Sequence, residues 1–157
     1  MFFTFSILGH FIEGFFYHSK DSGILYGYWT PIYGIGVITI IIISNILAKK
    51  KLKVPIYIIS LFLTSAIILS LMEFIGGHII ELIFHKVFWD YSSMPLNIGN
   101  YTSIPMSIIW GISSILFTYI VKTPIELIIK KIPRYITYIL SILFLMDIIF
   151  TLYKAFR

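Results

Sequence analysis

The sequence predicts an all-α polytopic membrane protein: a bundle of five transmembrane helices, N-terminus in the cytoplasm and C-terminus outside. Three observations carry this. Hydrophobic residues fill 59% of the 157 positions and charged residues only 12%, where a soluble domain carries about 25% charged residues. Mean hydropathy is +0.95. Five apolar runs approach the roughly 20 residues a helix needs to cross a bilayer core about 30 Å thick. The same numbers exclude a disordered chain. The length suits one integral membrane domain over residues 1–157.

The first element covers residues 1–17. It lacks a basic leader and carries Glu13, so it reads as a retained helix rather than a signal peptide. The second covers residues 31–48 and opens on Pro31. The third covers residues 54–84 with Pro55 in its first turn. At 1.5 Å per residue it would extend about 46 Å. It therefore tilts and projects, or breaks near Gly76-Gly77, because glycine pairs are kink sites. The fourth covers residues 104–121 and the fifth residues 133–153. Pro105 and Pro133 lie near their starts, where a missing N–H costs little.

Orientation follows from the basic residues. Lys49, Lys50, Lys51 and Lys53 lie in one loop, and Lys122, Lys130, Lys131 and Arg134 in another. Both loops fall on one side, the cytoplasmic side by the positive-inside rule. Lys20, Lys86, Lys154 and Arg157 fall on the other. This distribution accounts for the net charge of +5 without nucleic acid as a partner. Membrane lipid is the expected surround. Tyr26, Tyr28, Trp29, Trp89, Tyr91 and Tyr101 form the expected outer aromatic belt, and Tyr57, Tyr119 and Tyr135 the inner one.

Ionisable residues inside a membrane helix are costly, so their depth is informative. Glu13 lies roughly 18 Å from the inner end of its helix, Asp147 about 21 Å, and Glu73 about 29 Å. Asp90 and Asn97 belong to the outer loop. The functional reading is a polar cavity open to the outside, lined by Glu13, Tyr33, Glu73, Asp90, Asn97 and Asp147. The bland reading is that each acid reaches water from a helix end. By helical angle Gly76, Gly77 and Ile80 share a face with Glu73, and that face is expected to pack on another helix. Asp90 in Trp89-Asp90-Tyr91-Ser92 either caps its own turn or points back into the cavity.

His78, Glu81 and His85 are spaced three and four apart and line one stripe. Two histidines and a carboxylate suit a divalent metal with open positions; an interfacial amphipathic stretch explains them equally well. His10 with Glu13 repeats a smaller version, and His18 near a helix end reads as solvated. Otherwise no cofactor is expected. The chain has no cysteine, which excludes disulfides, thiolate zinc sites and thiol nucleophiles. It has no phosphate-binding Gly-rich loop, no Gly-x-Ser-x-Gly elbow and no His-Glu-x-x-His. ATP hydrolysis would need a separate subunit.

The chain resembles the bacterial ABC-transporter type IV family of CmpB-like membrane proteins over about residues 5 to 150. The matching stretches begin with Gly9-His10-Phe11-Ile12-Glu13 and Pro31-Ile32-Tyr33-Gly34-Ile35-Gly36. Glu73 with Glu81, Trp89-Asp90-Tyr91-Ser92, Asn97 with Gly99, and Ser107 with Trp110-Gly111 follow. It departs from the family at Gly27-Tyr28-Trp29-Thr30 before Pro31, and at Asn100, where a basic residue is frequent. The resemblance implies a multi-pass protein of the bacterial inner (cell) membrane acting as a permease or transporter component. The segment Lys122 to Lys131 would suit an amphipathic surface helix on which an ATP-binding subunit docks; a plain basic loop is the simpler reading. Two other functions stay open. One is an intramembrane enzyme acting on lipid or isoprenoid head groups with Glu13, Glu73 and Asp90. The other is a non-catalytic assembly subunit.

Overall fold

The computed structural model describes residues 1–17 and 23–157. The readings of His18 and Lys20 lie outside the described residues. Six α-helices are described: α1 (Phe2–Tyr17), α2 (Pro31–Lys49), α3 (Val54–Phe84), α4 (Ile104–Leu116), α5 (Lys122–Ile129) and α6 (Arg134–Ala155). A two-stranded antiparallel hairpin, β1 (Asn97–Ile98) and β2 (Thr102–Ser103), separates α3 from α4.

Among the described residues, four stretches are long and apolar enough to cross a bilayer: Pro31–Lys49, Val54–Phe84, Ile104–Ile129 and Arg134–Ala155. The first expected span, α1, is apolar but only 16 residues long, about 24 Å. The chain is thus an all-α, multi-pass membrane protein. It divides into two compact units, residues 1–37 with 124–157, and residues 38–123.

In the first unit, small residues let α1 and the start of α2 approach closely. A Cβ on Gly9 would occupy the Tyr33 ring, and one on Gly34 would meet the Ser6 hydroxyl and the Phe2 carbonyl. Ser6 is fully buried, and the Thr30 N–H donates to the Ser6 carbonyl at 2.9 Å. Phe144 of α6 meets the edges of Phe2, Phe3 and Trp29 at centroid distances of 5.3, 5.7 and 5.7 Å.

In the second unit, Ile43 and Leu47 of α2 pack on Leu61 of α3, with Tyr57, Ile68 and Ile115 around them. Lys53 precedes α3 and Pro55 stands in its first turn, as expected. The helix ends at His85, whose left-handed backbone (φ 52°) returns its N–H to the Glu81 carbonyl. Ser103 caps α4 by accepting the Met106 N–H at 3.3 Å.

Two expectations need correction. First, of the two alternatives for the long third helix, the break at Gly76-Gly77 is not the one found: α3 is one helix of 31 residues. The Tyr101 ring sits where a Gly77 Cβ would stand, whereas Gly76 faces open space. The glycine serves ring packing, not a kink. The packed stripe is accordingly Glu73, Gly77 and Glu81 at four-residue steps, not one that includes Gly76. Second, the helical path from Ile104 does not stop at residue 121. A widened turn over Phe117–Val121, in which the Lys122 N–H reaches the Phe117 carbonyl, leads into α5. Proline inside a helix lacks an N–H and crowds the carbonyl four residues back. A wider turn just before Pro124 relieves that crowding.

The two neighbouring glycines should therefore respond oppositely. Gly76→Ala should melt in detergent at or above the parent, since alanine favours a helix by up to about 1 kcal/mol over glycine. Gly77→Ala should lower stability by roughly 1–3 kcal/mol, the usual cost of overpacking. Far-UV circular dichroism during heating reads both; equal melting temperatures would contradict the Tyr101–Gly77 seat.

Candidate functional site

The second unit builds its polar site around Glu73, which is 4% exposed. Glu73 projects from the packed stripe of α3. Its Oε1 accepts the Tyr91 hydroxyl at 2.8 Å, and its Oε2 accepts the Trp110 indole N–H at 3.0 Å. One turn earlier on α3, the hydroxyls of Ser70 and Ser107 lie 2.6 Å apart, and Ser107 also donates to the Ser103 carbonyl at 3.0 Å. On α4, Ser103, Ser107, Gly111 and Ser114 recur at near-helical spacing. Ring atoms of Phe62 stand where a Gly111 Cβ would be. Small residues on this face bring Trp110 close enough to donate.

Two turns beyond Glu73, Glu81 accepts the Tyr101 hydroxyl at 2.7 Å. Tyr101 is 2% exposed. Its ring lies over Gly77 and against His78 at 4.9 Å between centroids, and its carbonyl accepts the Trp89 indole at 3.4 Å. The segment from 85 to 103 is thus fastened to one stripe of α3 by two tyrosine-to-carboxylate bonds. Burial, then the hydrogen bond and negative charge of Glu81, push the Tyr101 phenol up to about 12.

Asp90 and Asn97 take local roles. Asp90 is exposed, and its Oδ1 accepts the Ser92 N–H at 2.8 Å. That bond holds its carboxyl below the ordinary aspartate range. Asn97 donates to the Gly99 carbonyl at 3.1 Å within the hairpin turn, where Gly99 has a φ of +64°. Neither side chain bonds Glu73. The cap reading of Asp90, rather than the one that turns it into the cavity, describes its hydrogen bond.

The suggested metal set does not assemble. Among the described residues no group of three or more His, Asp or Glu side chains is placed to hold a metal ion. Glu81 turns to Tyr101, His78 Nδ1 lies 2.8 Å from the Phe74 carbonyl of the preceding turn, and His85 ends the helix. The three-and-four spacing put them on one stripe, but the left-handed backbone at His85 takes it out of helical register.

The first unit holds the other two acids. Glu13 accepts the Thr30 hydroxyl at 3.3 Å, with Tyr33 as a further side-chain partner. Asp147 gathers four donors: the N–H groups of Tyr26 at 3.0 Å and Gly27 at 2.6 Å, the Trp29 indole at 2.7 Å and the Thr151 hydroxyl at 3.1 Å. Lys154 lies over the Tyr26 ring at 4.9 Å. Asp147 therefore clamps the loop before α2 onto α6. Its full donor set leaves little capacity for a ligand.

The sequence reading placed Tyr91 and Tyr101 only as belt residues and left Trp110 without a role. The available signal was the hydroxyl and glycine stripe on α4, which marks a packing face and puts Trp110 beside it.

Tyr101 gives a pH test. A raised phenol pKa means the native contact contributes fully below the ordinary phenol value, about 10, and is lost as pH rises through about 12. Melting temperature should hold to about pH 10 and then fall. In an ultraviolet phenolate titration, Tyr101→Phe should lack one late-ionising tyrosine. An unchanged late phase in that variant would contradict the assignment.

The family model described as "Putative ABC-transporter type IV" matches residues 1–153. No curated protein and no solved structure matches the chain significantly. The family match covers nearly the whole chain, including both acid-centred units, and the protein belongs to that ABC-transporter type IV family of membrane proteins.

Proposed function

We propose that the protein is the small permease-type component of a transporter of the cell membrane, with Glu73 at the centre of its polar site. The observation that carries this reading is the Glu73 carboxylate, 4% exposed and held by a phenol and an indole inside an apolar helix pair. An ionisable group in such a place is costly and by default marks a substrate or ion pathway. Glu13 with Tyr33 is the second polar station, in the first unit. Asp147, Asp90 and Asn97 shape the loops around the stations.

The N-terminus faces the cytoplasm in this reading, with α1 crossing as well, because eight basic residues lie within or at the ends of the stretches 49–53 and 122–134 and four lie elsewhere. Helix α5 and the turn that follows it then lie at the cytoplasmic end of the span. There Lys130 and Lys131 are exposed and suit an ATP-binding subunit, since the chain has no nucleotide-binding loop of its own.

Topology is tested with Lys51→Cys and a membrane-impermeant thiol reagent. Labelling should require permeabilised cells, and labelling of intact cells would reverse the orientation.

The partner is tested by purifying the tagged chain from its native membrane in mild detergent. The eluate should hydrolyse MgATP. A Lys130→Glu, Lys131→Glu double variant should lose that activity while keeping its helical circular dichroism. Glu73→Gln should keep the partner but slow turnover by about tenfold or more, as removal of a group acting in the cycle does. A wild-type eluate without ATPase activity would sink the transporter reading in favour of an assembly role.

A further inference from the structure

Glu73 and Asp147 differ in how completely they are satisfied. An ionised carboxylate offers about four acceptor positions. Asp147 fills four with donors. Glu73 fills two, both with neutral groups, although it is the more buried. Among the described residues no basic side chain pairs with either oxygen of Glu73. On α3 the nearest titratable groups are His78, off the stripe, and Glu81, on it. The 85–103 segment carries His85, Lys86, Asp90, Tyr91 and Tyr101, of which Lys86 lies over the Phe88 ring at 5.1 Å and Asp90 is exposed, and α4 (Ile104–Leu116) carries no titratable group. Burying a carboxylate without a counter-charge is costly, and taking up a proton relieves that cost.

An exposed acid lies on the same stripe of α3. Along the same stripe Gly77 comes next, covered by the Tyr101 ring. Glu81 follows, eight residues and about 12 Å from Glu73. Glu81 is exposed and holds the Tyr101 hydroxyl. The Tyr101 ring is thus the side chain that covers the stripe between Glu73 and the exposed Glu81.

We propose that Glu73 is a gated proton-binding site. It carries a proton while Tyr101 covers Gly77, and exchanges it with water when the Tyr101–Glu81 bond opens. On release the proton passes from the carboxyl oxygen to water. The carboxylate left behind keeps the Tyr91 and Trp110 donors. On uptake the same proton returns from hydronium, with no other reactant. This names the ligand of the Glu73 site on which the transporter reading rests, and its test needs no ATPase partner.

The probe is dicyclohexylcarbodiimide, an apolar reagent that adds to protonated carboxyls. The acid O–H adds across the carbodiimide C=N bond, and the product rearranges to a stable acylurea that peptide mass mapping locates. With the protein in lipid nanodiscs, the adduct should form on Glu73, decline as pH is raised, and be absent at that position in Glu73→Gln. Tyr101→Phe keeps the ring and removes the latch; it should speed labelling roughly fivefold to tenfold, the worth of one hydrogen bond. Glu81→Ala removes the acceptor of the same latch and must give the same acceleration, which covers the case of a poorly folded Tyr101 variant. No adduct at Glu73 in wild type and variants alike would overturn the proton site. Equal labelling rates in wild type and both latch variants would overturn the gate. ATPase recovery with no adduct would leave the transporter reading standing alone, and the converse would leave the proton site alone.

Discussion

A carboxylate in apolar surroundings has to recruit donors, and in this protein the donors come from far along the chain. Glu73 draws on Tyr91, 18 residues away, and Trp110, 37 residues away. Asp147 draws on Tyr26, Gly27 and Trp29, 118 to 121 residues away. An unpaired polar group in a hydrocarbon-like site costs several kcal/mol, so each bond fixes a loop that has little other reason to order. The hairpin and its flanks form around Glu73 and Glu81. The loop before α2 forms around Asp147. In each unit, considered by itself, the polar contact sets the position of the irregular chain, and the apolar packing follows the helices.

The approach of those donors depends on residues that have almost no side chain. Tyr101 reaches Glu81 because its ring lies on Gly77. Trp110 reaches Glu73 from a face of α4 whose other members are serine and glycine. In the first unit, Gly9 and Gly34 bring the α2 start against α1, which carries Thr30 to Glu13. Helices in lipid gain little from burying leucine against leucine, because the lipid offers the same contact. Close backbone approach and a few polar bonds therefore choose the partners. The exposed isoleucines of α3, such as Ile67, Ile75 and Ile79, specify a lipid-facing surface and nothing finer.

That chemistry also explains which parts of the structure the sequence revealed. Helix existence was legible from apolar runs, and their starts from Pro31, Pro55, Pro105 and Pro133. Helix phase was not. In a soluble helix, polar residues mark the outside. In α3, leucine stands at exposed positions (Leu63, Leu71) and at buried ones (Leu61, Leu69) alike, so apolar periodicity carries little angular information. Only glycines, serines and acids report the phase, and Gly76 was a misleading one, since its neighbour Gly77 bears the contact. The continuation past residue 121 was hidden for a related reason. Lys122 and Pro124 both look like the end of a span, yet a wider turn absorbs the proline and the helix resumes. The tyrosine donors were hidden because long-range pairing leaves no trace in local spacing.

Glu73 and Asp147 are not equivalent, and the difference lies also in what supplies the donors. Two of the four donors to Asp147 are backbone N–H groups of consecutive residues, Tyr26 and Gly27. They withdraw only if the loop itself refolds, so Asp147 is held as long as the unit is folded. Both donors to Glu73 are side-chain groups. A phenol leaves its acceptor by rotation about single bonds, with the backbone unmoved. The cost is about one hydrogen bond, on the order of 1 kcal/mol net, against several for rebuilding a loop. A membrane acid held by rotatable donors can change its occupancy within the native fold, whereas one held by the backbone cannot. The protein thus contains one acid suited to exchange and one suited to architecture, distinguishable by the atoms that hold them.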